Sequence, residues 1–113
     1  MQKQSLASYI EYSDERFTKR VVYKEGTSTA FVLNFKPGQS LPAHKHPGTN
    51  VHLNVVQGEG VFNIDNQEVT VVERDVVVVT GDEELAFHNN SQANTSLYVV
   101  LSKIPSDEYA KDI

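Results

Sequence analysis

The sequence predicts an all-β fold, a sandwich or barrel of short strands, on two observations. Valine supplies sixteen apolar residues, thirteen of them between Val51 and Val100. Such β-branched side chains fit a pleated, half-buried surface and lose rotamer freedom in helices. Eight to ten short runs of strand-like residues follow one another at close, even spacing, with turn residues between them. That is the pattern of a sandwich or barrel. A length of 113 residues holds one domain, 1–113, with a core over about residues 29–102, an N-terminal arm 1–17 and a C-terminal tail 104–113.

Each element has its local reason. Leu6, Tyr9 and Ile10 recur at helical spacing and predict a short helix or an ordered arm. Arg20–Tyr23 predicts a strand, ended by Gly26-Thr27-Ser28. Thr29–Lys36 is a second, rich in aromatic and β-branched residues and ended by Pro37-Gly38. Leu41–His46 contains Pro42, which cannot donate to a ladder, so this strand belongs at an edge or beside a bulge. After the turn at Pro47-Gly48, Val51–Gln57 runs to Gly58-Glu59-Gly60. Val61–Ile64 and Glu68–Val72 flank Asp65-Asn66 and predict a hairpin, because Asp and Asn tolerate the left-handed backbone of a tight turn. Val76–Thr80 is almost wholly apolar and predicts a strand covered on both faces. Leu85–Asn89 and Ser96–Lys103 are the last strands, and the tail from Ile104 is expected to be frayed or weakly helical. Phe31, Phe35, Phe62, Phe87 and Tyr98 are expected in the core.

Charge and composition narrow the function. Fifteen acidic against ten basic side chains leave a net charge of −5, which argues against a nucleic-acid groove and against a polybasic membrane anchor. No apolar run approaches the length of a bilayer span, and the first residues lack the apolar stretch of a secretory signal. A cytoplasmic location is the resulting expectation. Cysteine is absent, so there is no disulfide, no thiolate metal site and no cysteine nucleophile.

Chemistry concentrates in the histidines, all four of which lie between positions 44 and 88. His44 and His46, at i and i+2, share one face of a strand, and two neutral imidazoles on one face begin a divalent metal site. Asn50, His52 and Asn54 alternate with Val51, Leu53 and Val55, so the next strand has one polar face and one apolar face. If the polar face lines the barrel, His52 joins the pair. If the apolar face does, His52 points outward, and a one-residue bulge near Pro47-Gly48-Thr49 switches between the two. His88 carries the same ambiguity and is the weaker candidate. A surface or subunit-contact role is the simpler alternative for both His52 and His88.

Gly38, five intervening residues, His44-Lys45-His46-Pro47-Gly48, Asn50 and a strand closed by Gly58 together resemble the first motif of the cupin family. Arg74-Asp75 before Val76–Val79, the turn Thr80–Glu84, and Asn89 resemble the second, with Arg74 standing where the family has glycine. The resemblance spans roughly residues 29–102. It implies a cupin-type double-stranded β-helix, a jelly-roll barrel. It also implies a metal site of two histidines, a Glu or Gln, and a third histidine. The Glu or Gln position falls on Val51 or Asn50, and the third histidine position falls on Leu85. Two of the four ligands are therefore missing or have moved.

Three functions are expected from these residues. One is a divalent metal site, for Zn, Ni, Fe or Mn, on His44 and His46 with a third ligand from His52, Asn50 or His88. The ion would serve a dioxygenase or an isomerase. The second is a metal-free barrel that binds a small molecule, with His44 and His46 as polar anchors for a carboxylate or hydroxyl. The third is an association or regulatory module. A homodimer is expected because open sheet edges need cover, with no nucleic-acid and no membrane partner. No motif distinguishes oxidation from isomerisation, and the substrate is not written in the sequence.

Overall fold

The computed structural model describes residues 1–103; the tail from position 104, for which fraying or weak helix is expected, lies outside the described residues. Nine strands follow an N-terminal arm: β1 (Thr18–Glu25), β2 (Ser28–Phe35), β3 (Ser40–His44), β4 (Thr49–Gln57), β5 (Glu59–Ile64), β6 (Gln67–Val72), β7 (Val76–Val79), β8 (Leu85–His88) and β9 (Thr95–Lys103). The arm carries one 3₁₀ turn, Leu6–Tyr9, in place of a helix. The strands form two antiparallel sheets, a five-stranded one in the order β1-β2-β9-β4-β7 and a four-stranded one in the order β3-β8-β5-β6. The all-β jelly roll expected from the sequence is the architecture found.

Turn chemistry fixes the connections. Asp65 and Asn66 both have positive φ, 49° and 66°, the backbone that a two-residue hairpin needs to match strand twist. Pro42 sits on β3, an edge strand, beside a register shift between Leu41 and His44, where its missing N–H costs no ladder bond. Arg74 also has positive φ, 76°, so the place where the resemblance expects glycine does have the backbone that favours it.

The inner faces of the two sheets meet in one core. Phe31, Leu33 and Phe35 of β2 alternate inward with Val51, Leu53 and Val55 of β4 and Leu97 and Val99 of β9. Phe35 and Phe62 each lie about one ring away from Phe87, at centroid separations of 4.9 and 4.8 Å, within the range of favourable aromatic pairs. Gly60 lies inside β5, where a Cβ would collide with the Phe87 ring; it is a packing position as well as a turn signal.

Two core expectations need correction. Val76–Thr80 is expected to be covered on both faces, yet Val76 and Val78 are 61% and 59% exposed. β7 is the sheet edge and pairs with β4 alone, so only Val77 and Val79 turn inward. Tyr98 sits opposite Asn54, on the outer face with the alternate residues of β9, because Leu97 and Val99 take the inner positions.

The arm explains the other half of that outer face. Val32 and Asn34 are fully buried although they point away from the core. Asn34 Nδ2 donates to the Tyr9 carbonyl at 2.9 Å and to Thr18 Oγ1 at 3.2 Å. Ser96 Oγ donates to Asn34 Oδ1 at 2.7 Å. With that proton spent, Ser96 accepts from the Tyr12 hydroxyl at 2.6 Å, and Gln57 Nε2 donates to the same Tyr12 oxygen at 2.7 Å. All donors run one way, so each bond polarises the next.

Candidate ligand cavity and histidine pair

β3 carries His44 to its end, opposite Leu85 of β8. The chain then turns at Pro47-Gly48: Thr49 N–H donates to the His46 carbonyl at 3.1 Å and Gly48 has φ 76°. Proline then glycine with positive φ is the order a type II turn demands. His46 is pinned from the other side, its N–H donating to the Gly81 carbonyl at 3.0 Å. A Cβ on Gly81 would overlap the His46 and Thr49 carbonyl oxygens. The loop after β7 therefore clamps the loop after β3.

The two imidazoles stand edge to face with centroids 4.6 Å apart. His44 Nδ1 lies 2.8 Å from the Pro42 carbonyl. A carbonyl can only accept, so Nδ1 carries the hydrogen and Nε2 keeps its lone pair in the neutral ring. Burial, then the neighbouring His44, then the Lys19 ammonium hold His46 below the ordinary imidazole range, burial by disfavouring the charged ring itself and the two neighbours by repelling a positive charge. His46 is thereby biased to its neutral form.

Both rings open onto a cavity of about 250 Å³ in the mouth of the barrel. Its depth is apolar: Phe31 and Leu33 of β2, Val51 and Leu53 of β4, Leu85 and Val99. Phe17 and Leu41 complete the rim. The third polar group is Lys19, whose Nζ lies 4.4 Å above the centre of the Phe31 ring. Lys19 pairs with Leu33 across β1 and β2 and so shares its inward face. The sequence reading missed it. The available signal was the alternation Phe17, Lys19, Val21 at the start of β1, in which a lysine stands among apolar neighbours on one face.

The other sequence candidates do not converge with the pair. The family register holds in β4: Val51 and Leu53 are buried in the core, while His52 is exposed and lies opposite Val78 and Val100 on the outer face. Asn50 shares that outer face, by alternation with Val51. No register shift occurs in β4 before Val55, so the bulge that would have turned His52 inward is not formed. His88 is exposed on the outer face of the four-stranded sheet, where its Nδ1 hydrogen-bonds the Ser40 hydroxyl. Leu85 is buried in the core. Among the described residues no group of three or more His, Cys, Asp or Glu side chains is placed to hold a metal. A resident metal centre uses three or four protein donors. The cavity wall offers two imidazoles, with valine and leucine at the remaining family positions, so the donor set does not fit such a centre.

A cupin domain model matches residues 31–101. None of the curated proteins matches the chain. Among solved structures, the TT1209 protein of Thermus thermophilus superposes with a TM-score of 0.86 at 21% identity, covering 93% of this chain and all of that one. A double-stranded β-helix protein from Klebsiella pneumoniae gives 0.85 at 19% identity, over 91% of this chain and 90% of that one. An RmlC-like cupin protein from Desulfovibrio desulfuricans gives 0.82 at 22% identity, over 90% and 96%. At these identities the likeness is one of fold.

Proposed function

The chain belongs to the cupin domain family, and from that premise we propose that its barrel binds a small, mostly apolar organic molecule, with His44 and His46 as polar anchors at the mouth. The cavity carries this reading. It holds about 250 Å³ behind the histidine pair, and an apolar cavity of roughly 150 Å³ already accommodates benzene. Its walls are apolar and its few polar groups converge at one end, which is the usual design of a small-molecule site. Ligand-observed NMR with phenylacetamide tests it. Binding is expected for the wild type and lost in Leu41→Trp, which fills the cavity from its partly exposed rim. No binding at millimolar concentration would sink the reading.

A second reading, a divalent ion on His44 and His46, is favoured by the free Nε2 lone pair that the Pro42 contact leaves on His44. Two imidazoles alone bind weakly, so the ion would need donors from a bound ligand or water. Added Ni²⁺ or Zn²⁺ should then raise the melting temperature at pH ~7.5, lose that effect toward pH ~5 because proton and metal compete for an imidazole lone pair, and lose it in His44→Ala. Two copies of the chain are also proposed to associate, since Val76 and Val78 on the edge strand β7 leave apolar surface uncovered.

A further inference from the structure

We propose that the cavity selects a small monocarboxylate, a single ring or short chain ending in a carboxylate that the Lys19 ammonium holds, with His46 able to donate one N–H beside it. This rests on reading the barrel as a small-molecule site and adds the charge of the ligand. Lys19, His44 and His46 are the ionisable side chains of the cavity wall, and no Asp or Glu lines it among the described residues. In a chain of net charge −5, this mouth is a local exception, able to present positive charge and N–H donors and no anion.

The state of Lys19 supports the same conclusion. Arg20 pairs with Glu11 and Lys36 with Asp14, whereas Arg16, Lys19 and Lys24 form no ion pair among the described residues; of these three, Lys19 lines this cavity. Lys19 has no acidic partner among the described residues, and its ammonium rests on the face of Phe31. A cation–π contact is a modest resting place for an ammonium, and one a carboxylate would improve on. Depth and volume set the rest of the ligand. Phe31, Leu33, Val51, Leu53, Leu85 and Val99 leave room for about one ring.

Calorimetric titration of the full chain with phenylacetate and with phenylacetamide, at neutral pH and low salt, tests the inference, because the two probes share shape and differ in charge. Phenylacetate should bind about tenfold tighter or better, the worth of one charge-assisted hydrogen bond. Lys19→Met keeps the apolar stem over Phe31 and removes the charge; it should bring the two probes within about twofold of each other. Lys19→Arg should retain the preference. Lys24→Met, on the same strand and outside the cavity wall, should retain it too. Equal binding of both probes by the wild type would overturn the inference and leave the apolar cavity standing. A preference that survives Lys19→Met, or that disappears equally in Lys24→Met, would also overturn it. If neither probe binds, both the inference and the reading beneath it fall.

Discussion

The two faces of the five-stranded sheet are built on different chemistry. The inner face is apolar from β2 to β4, with cationic and imidazole groups gathered at the cavity mouth. The outer face divides in two. Under the arm it is a closed polar chain through Asn34, Ser96, Tyr12 and Gln57. Beyond the arm's reach, at β7 and the stretch of β4 paired with it, it is bare, with His52, Val76 and Val78 in solvent. The same alternation of side chains made both faces, so what distinguishes them is what lies on top. A polar residue such as Asn34 is tolerated at zero exposure because every one of its amide hydrogens and its oxygen has a partner. A valine such as Val78 is tolerated in solvent because exposing one apolar side chain costs little by itself.

The largest expected effect follows from that contrast. Asn34→Ala strands the Tyr9 carbonyl and the Ser96 hydroxyl in a buried position and should cost about 2–3 kcal/mol. A shift of the urea midpoint worth less than about 0.5 kcal/mol would mean that the arm lies loosely on the sheet and that the covered half resembles the bare one.

A smaller effect is expected at the cavity mouth and depends on pH. His46 is held below the ordinary imidazole value in the folded chain. The unfolded chain therefore binds the proton more readily. Neutral His46 contributes its stability fully above pH ~6.5 and loses it as pH falls through the folded value. Urea midpoints compared near pH ~7 and pH ~5.5 should fall more for the wild type than for His46→Gln. Parallel curves for the two proteins would count against the mouth being a distinct electrostatic environment.

The smallest effect is on the bare half. Val78→Lys should change fold stability by no more than about 0.5 kcal/mol, since Val78 stands in solvent. If copies of the chain associate through this surface, the substitution should convert a dimer to a 12.6 kDa monomer in light scattering. A wild type that scatters as a monomer would remove the proposal of association.

Most strands were legible from the sequence because their signals are local. Pro42 announced an edge or a bulge, Asp65-Asn66 a hairpin, and the alternation of Val51, Leu53 and Val55 with Asn50, His52 and Asn54 a strand with one apolar and one polar face. What was not legible depends on non-local facts. Whether Asn50 and His52 faced in or out turned on a single residue of register, which no residue in β4 encodes alone. Val76–Val79 reads as doubly buried because an apolar run looks the same at an edge and at a centre; only the strand order distinguishes them. Alternation could place Lys19 on one face with Phe17 and Val21, but not beside the cavity, because β1 lies far in sequence from His44, Val51 and Leu85. Asn34, polar between Leu33 and Phe35, could have signalled a covered outer face, but its partners Tyr9 and Ser96 lie on distant segments.

The position of β9 carries a consequence for how the chain acquires its structure. β9 is the ninth strand in chain order and the middle strand of its sheet, paired with β2 on one side and β4 on the other. Until Thr95–Lys103 has been made, β2 and β4 have no common neighbour and the five-stranded sheet exists only as two fragments. Joining them closes long loops, and the entropy of closure is spent before most contacts form. Folding should therefore be slow for a domain of this size. During synthesis on the ribosome, the edges of β2 and β4 that face β9 would wait unpaired for their central strand, the interval in which this protein is most exposed to misassembly and to capture by chaperones.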